Sequence, residues 1–441
     1  LLSIDEVRKN IILKNGLYYF DYTASGLAYE PIEREILALL KTYANTHSDS
    51  ASSAILTQQR YENARRELKN LLGLDDSFYL IATGTGATGA IKKFQEILGI
   101  YMPPALKTRL TMTAIRAAKP PLVIISPYEH HSVEVSFREG FCDIERVPLT
   151  SGGEINLGRL DQILKINSKR EIIGCFSAAS NVTGVVSRCD QISAMIRKQG
   201  GIVAFDAAAL SAYDNIDCKL FDALFLSPHK LLGGVGSCGL LAIKKSLCDT
   251  TQPTFAAGGT VSYVSRTSHK FIDNFELLEE AGTPGIMQLI RANLAYKLRN
   301  DIGLKTIKQR ESELLQLFCT EIGKINDIVD YCPKNVARMP IFAFNIKGVS
   351  PYDFASTLSN DFGVQTRAGC ACAGPYGHEI LGLKDNQPLS QKPGWVRVGL
   401  HYTHTNDDVI YLVEAIKKSI KKHKSFWGEE VAMYSLFANK F

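Results

Sequence analysis

Six short, continuous apolar runs constrain this chain more than any other feature. They are FYLIA (Phe78 to Ala82), LVIIS (Leu122 to Ser126), IIGCF (Ile172 to Phe176), IVAF (Ile202 to Phe205), ALFLS (Ala223 to Ser227) and GLLAI (Gly239 to Ile243). A strand with one wet face alternates polar and apolar residues, whereas a strand covered on both faces reads as an unbroken apolar run. Helical patterns lie between several of them; DQISAMIRKQGG, for example, closes on two glycines that stop a helix. Strands and helices alternating at this spacing predict a three-layer α/β fold around a mainly parallel sheet.

After about Gly285 the rhythm changes. Long helical stretches (Ile286 to Asn300 and Leu304 to Ile325) lead to IFAFNI, a helix after Pro351, WVRVGL, and a last helix that begins near Thr405 with Asp408 as its capping-box partner. This predicts a smaller α+β domain. The expected division is an N-terminal segment (1–20) packing near the small domain, a large cofactor-binding domain (21–285) and a small C-terminal domain (286–441). The stretch from Gly99 to Pro121 is basic, flanked by prolines and longer than an ordinary connection, which predicts an excursion from the sheet.

Composition narrows the classes of function. A chain of 441 residues, 45% hydrophobic and 22% charged, is globular and long enough for two domains. Its formal charge of +5 is small and dispersed, so no nucleic-acid footprint is expected. The densest basic run, Lys417 to Lys424, ends a helix and suits the macrodipole there. Ten scattered cysteines do not form a disulfide framework, and no apolar run approaches the ~20 residues that span a membrane. The opening LLSIDEVRKN carries no signal core and no initiating methionine, which leaves room for residues upstream. A reducing compartment, the cytoplasm, is expected.

In open α/β sheets ligands sit beyond the carboxyl ends of the strands. The residues just past each run are therefore informative. The first run opens into TGTGATG (Thr83 to Gly89), the second into PYEHHS with His130 and His131, and the third into SAASNVTG with Asn181. Asp206 ends the fourth, and SPHKLLGG, with His229 and Lys230, comes at the end of the fifth. Each alone has an ordinary explanation: a tight turn, a satisfied histidine, a helix cap, a solvated lysine. Together they offer an anion cradle, an imidazole, an amide, a carboxylate and a lysine. Pyridoxal 5'-phosphate uses that whole set, with a lysine for its Schiff base, a carboxylate facing its ring nitrogen and N–H groups for its phosphate. The paired glycines behind Lys230 are expected to leave room for the ring. The rival reading takes GTGATG as a dinucleotide fingerprint, which would want an acidic residue about 20 positions on. None occurs between Glu96 and Glu129, so only an NADP version using Arg109 or Arg116 stays open.

Taken in order, YYFDYTASG, EHHS, SNVTG, FDAAA, SPHK, AGTPG, RAGCACAGP and VRVGLHYTHT resemble the class V aminotransferase-fold enzymes of the cysteine desulfurase and selenocysteine lyase group, over nearly the whole chain. The resemblance implies a pyridoxal phosphate enzyme of fold type I, acting on a small amino acid. It implies that His130 stacks on the ring, Asp206 pairs with its nitrogen, and Lys230 forms the Schiff base. Thr85, Gly86, Ser227 and His229 would hold the phosphate. Thr283 would reach it from a second subunit, which implies a homodimer. Asn181 would lie near cofactor and substrate, Arg397 would clamp the substrate carboxylate, and Cys372 would carry sulfur as a persulfide for a sulfur-acceptor protein.

Two positions depart from the family pattern. Ala209 stands where many desulfurases have glutamine, and Pro228 where glycine commonly precedes the His-Lys pair. Desulfuration of L-cysteine leads. An aminotransferase or another lyase on the same scaffold comes second. A thiol or metal-binding protein using Cys370, Cys372 and His378 is the third reading, weakened because structural zinc wants four ligands.

Overall fold

The computed structural model describes residues 2–46, 48–109, 119–385 and 394–438, the side chains of 426–438 excepted. The chain divides into two compact units. The first comprises Leu1–Ile12, Ala24–Ser180 and Val185–Leu304; the second comprises Leu13–Thr23, Asn181–Gly184 and Lys305–Phe441.

The first unit is built on a seven-stranded sheet: β1 (Phe78–Thr83), β2 (Leu122–Ile125), β3 (Asp143–Arg146), β4 (Ile172–Ser177), β5 (Ile202–Asp206), β6 (Ala223–Leu226) and β7 (Gly239–Lys244), in the order β1-β7-β6-β5-β4-β2-β3. All six apolar runs are strands of this sheet. The sheet is parallel except at β7, which runs antiparallel to both β1 and β6. The four residues of β2 and of β6 are buried throughout, as their unbroken apolar character requires.

Four helices matter here: α1 (Ser52–Leu71), α2 (Gly86–Ile97), α3 (His131–Arg138) and α4 (Ile286–Ile302). α2 turns Ala87, Ala90, Ile91 and Phe94 onto the sheet, where they pack with Ile81, Phe225, Leu241 and Ile243. That i, i+3, i+4, i+7 stripe is why the segment is a helix lying on a sheet. In the segment from Gly99 to Pro121, Pro104–Lys107 forms a single helical turn, and Lys107 pairs with Glu139. Positions 110–118, which include Arg116, lie outside the described residues.

β1 is an edge strand, and its outward N–H groups are capped by carboxylates. Leu80 N donates to Glu276 Oε1 at 2.7 Å and Ala82 N to Glu280 Oε1 at 2.6 Å. Glu280 also takes a two-point bond from Arg65 on α1, at 2.7 Å to each oxygen, and a hydroxyl bond from Tyr61. Arg65 and Glu280 are both buried. Removing one partner leaves a desolvated charge, so Glu280→Ala is expected to destabilise the protein by about 3–5 kcal/mol. Denaturant unfolding measures this, and a loss under ~1 kcal/mol would show that water reaches the pair.

The second unit holds a four-stranded antiparallel sheet: β8 (Ile328–Asp330), β9 (Ile341–Ile346), β10 (Arg367–Gly369) and β11 (Trp395–Gly399), ordered β8-β9-β11-β10. Its helices include α5 (Pro351–Phe362), α6 (Gly374–Leu381) and α7 (Asn406–Ala438). α7 continues well past the basic run 417–424, so that run does not sit at the helix terminus expected of it. The capping box before α7 is present in both directions. Thr405 N donates to Asp408 Oδ2 at 2.7 Å, and Asp408 N donates to Thr405 Oγ1 at 3.1 Å. Among the described residues no helix is long and apolar enough to cross a membrane, and none of the ten cysteines forms a disulfide.

Candidate active site

The first unit carries Asp206 at the end of β5 and Thr85, Gly86, His130, Ser227, His229 and Lys230 in the segments that follow β1, β2 and β6. Gly86 opens α2 at φ +49°, a conformation that an L side chain resists. A Cβ there would fall 2.6 Å from His229 Cε1 and 2.9 Å from Ser227 Oγ. The histidine and the serine therefore lie directly against the start of the helix, and Ala87 N donates to Ser227 Oγ at 2.8 Å. Thr85, the residue before the helix, makes no side-chain cap. Burial first, and Lys230 second, push His229 down to about 4, so its imidazole is neutral at pH 7.

Pro228–Lys230 forms a single 3-10 turn after β6. The glycines behind it serve a purpose other than the expected one. A Cβ on Gly234 would lie 1.9 Å from Pro228 O. The space at Gly234 admits the turn's own backbone, while a Cβ on Gly233, at φ +79°, would lie 2.4 Å from Ile32 Cδ1.

Asp206 ends β5 and is 6% exposed. Its Oδ1 accepts from Ala208 N at 2.9 Å. Burial raises its pKa, while that bond and the Lys230 ammonium favour the charged form. His130 caps α3: its Nδ1 accepts from Ser132 N at 3.1 Å, which places the ring proton on Nε2. Thr283 lies in this unit too, exposed, and its Oγ1 accepts from Asn45 Nδ2 at 3.0 Å.

The second unit gathers Asn181, Arg397 and the loop of Cys372. Arg367 and Arg397 are directly paired across β10 and β11. Both reach Asp21, Arg397 through Nη2 at 3.0 Å and Arg367 through Nη2 at 2.8 Å. Arg397 Nη1 donates to Asn181 O at 3.0 Å, while its Nε and the Asn181 Oδ1 are buried with no hydrogen-bond partner. Such orphaned groups mark a place for a polar ligand. Asn181 Nδ2 donates to Ala371 O at 2.8 Å.

Beyond β10 the chain makes a tight turn, with Ala373 N donating to Cys370 O at 3.0 Å. Its central residues, Ala371 and Cys372, stand at φ +50° and +56°. Left-handed backbone at two successive non-glycine residues costs roughly 1–2 kcal/mol each, a strain often found at functional sites. Of the ten cysteines, all of them among the described residues, Cys372 alone is exposed. No cluster of three or more His, Cys, Asp or Glu among the described residues could hold a metal ion.

Asp21 and Glu129 carry no role that sequence alone predicts, although both lie inside the motifs YYFDYTASG and EHHS. Glu129 takes four hydrogen bonds, from the backbone N–H and hydroxyl groups of Ser126 and Ser177. An acidic residue inside a motif of otherwise neutral neighbours is the one signal that points to each.

The donor set fits pyridoxal phosphate. A buried carboxylate asks for a cation, a helix start lined by serine and imidazole suits an anion, and a lysine stands beside that histidine in sequence. The largely parallel sheet with these groups beyond its strand ends defines a pyridoxal phosphate-dependent enzyme of fold type I. The chain belongs to the aminotransferase class-V family, whose sequence model matches residues 18–412. It is similar to a probable cysteine desulfurase from Pyrococcus abyssi, 26% identical over 430 residues that cover 96% of this chain and 98% of that protein. A probable cysteine desulfurase from Staphylococcus epidermidis is also 26% identical, over 94% of each chain. Among solved structures, the apo cysteine desulfurase from Thermococcus onnurineus matches with a TM-score of 0.79 at 22% identity, covering 95% of this chain and 98% of that one. The Escherichia coli cysteine desulfurase CsdA matches with a TM-score of 0.76 at 23% identity, over 96% and 99%. At those identities the structural matches speak for the fold.

Proposed function

We propose that this protein is a cysteine desulfurase that converts L-cysteine to L-alanine and retains the sulfur as a persulfide on Cys372. The observation that carries the reading is the single exposed thiol on a strained turn, in a chain whose family supplies the cofactor chemistry. Lys230 would hold the cofactor covalently, with Asp206 facing its ring nitrogen and His130 against its face. Thr85, Gly86, Ser227 and His229 would take its phosphate. Bound there, pyridoxal phosphate supplies an electron sink for negative charge at the substrate Cα.

The chain's own groups do the rest. Arg397 binds the substrate carboxylate as a planar two-point donor, with Asn181 beside it. Lys230 Nζ removes the Cα proton. The Cys372 thiolate attacks the substrate sulfur, so that an S–S bond forms as the C–S bond breaks. The electron pair of that bond stays with the substrate carbon, which takes up protons to become alanine. A sulfur-acceptor protein or a small thiol then removes the outer sulfur. We further propose a homodimer in which Thr283 completes the partner's phosphate site, a role its exposure allows. A reducing, cytoplasmic setting agrees with ten cysteines outside any disulfide.

The test is direct. The purified protein should be yellow, absorbing near ~420 nm, and borohydride reduction followed by peptide mapping should place the label on Lys230. L-Cysteine should yield alanine and, with a reducing thiol, sulfide in equal amounts. A colourless protein that binds NADP would overturn the assignment.

A further inference from the structure

Glu129 is a buried carboxylate for which the proposed reaction has no use. It immediately precedes His130 and is 0% exposed. Its Oε1 accepts from Ser126 N at 3.2 Å, Ser126 Oγ at 2.6 Å and Ser177 N at 2.9 Å, and its Oε2 accepts from Ser177 Oγ at 2.8 Å. Four donors converge on two oxygens, and two of them are backbone N–H groups that can only donate. Such a set favours the charged form of a carboxylate.

The position of this charge is what matters. Ser126 comes directly after the last residue of β2, and Ser177 is the last residue of β4, the strand paired with β2. Ser177 is in turn the direct parallel partner of Asp206 on β5, and Ala178 N donates to Asp206 O at 2.8 Å. Glu129 is thus one residue from Asp206 across the sheet and one residue from His130 along the chain. The Asp206 carboxylate acts on Glu129, and both act on Cys175, which is fully buried on β4. Burial, with a contribution from Asp206, pushes Glu129 up to about 7 in spite of its four donors, so its carboxylate is mostly charged only above neutral pH.

We propose that Glu129 is a positioning residue that also supplies a second negative charge behind Asp206, so that two carboxylates together favour a cationic ring nitrogen at this site. The inference rests on the reading that Asp206 faces that nitrogen. Its physical content is Coulombic: in a desolvated site, a charge one residue further back still contributes to the attraction for a cation.

Glutamine can replace Glu129 with the network kept. Its Oε1 accepts from the two N–H groups and from Ser126, while its Nε2 donates to a Ser177 hydroxyl turned to accept. Glu129→Gln therefore removes charge at nearly constant shape. The probes are pyridoxal 5'-phosphate and 1-deazapyridoxal 5'-phosphate, which carries a C–H in place of the ring nitrogen. Each is titrated into the full chain freed of cofactor at about pH 8.5, where Glu129 is charged. For Glu129→Gln the Kd of pyridoxal phosphate should rise roughly tenfold, while that of the deaza analogue changes less than about twofold. Glu129→Asp keeps the charge and loses part of the reach, so it should preserve the wild-type ratio of the two affinities even where both weaken. That variant also keeps the test open if Glu129→Gln does not fold. An equal change in both affinities for Glu129→Gln, or no change in either, overturns the electrostatic role. Wild-type protein that binds the two probes equally overturns the Asp206 assignment itself, a failure distinct from that of Glu129.

Discussion

Cys372→Ala is expected to abolish sulfur release from L-cysteine, by at least ~10³-fold, while the cofactor stays attached to Lys230. A methyl group cannot accept sulfur, and the other cysteines are poorly placed to substitute. Cys370, its neighbour across one residue, is half-buried and sits at the first position of the turn. The remaining cysteines are all buried or half-buried, and several are held high by burial, Cys332 and Cys238 up to about 12. A thiol held there has almost no thiolate at neutral pH. The variant should keep its visible absorbance, because Cys372 is not among the groups assigned to hold the cofactor. Alanine and sulfide assays, with borohydride mapping alongside, check both halves. Full turnover in this variant would replace the persulfide mechanism with the aminotransferase or lyase reading.

Asp206→Asn is expected to retain the fold and bind cofactor, yet to lose at least about a hundredfold in turnover. The shape is nearly unchanged, and the Ala208 N–H still finds an oxygen. What disappears is the negative charge that favours a protonated ring nitrogen, and a charge-assisted contact in a desolvated site is worth roughly 3 kcal/mol, or about two powers of ten in rate. A second signature is thermodynamic. Burial raises the Asp206 carboxyl above its unfolded value, so in the cofactor-free protein it costs stability once the pH exceeds the unfolded pKa. Cofactor-free Asp206→Asn should therefore be at least as stable as wild type at pH 7 and lose that advantage in acid. Unchanged turnover in Asp206→Asn would mean that another residue faces the ring.

Much of the fold was legible because its strands are covered on both faces. A run such as ALFLS has no wet face to interrupt it, so composition alone exposes the strand. Asp143–Arg146 escaped for the converse reason. As the sheet's other edge it reads DIER, with its terminal residues exposed, and only pairing with β2 makes it a strand. The reversed direction of β7 was equally hidden, since an apolar run reads alike whichever way the chain travels.

By itself the sequence determined the class of sheet, the polar residues at the ends of its strands, and the cofactor those residues suit, since each depends on local order along the chain. Tertiary structure alone decided which charges meet. Asp21 joins Arg367 and Arg397 from 346 and 376 residues away. Asn181–Gly184 leaves the unit that flanks it on both sides and joins the second. Glu129 reaches Ser177, the strand partner of Asp206, across 48 residues. A Coulomb interaction depends on distance in space, and only the folded chain sets that distance.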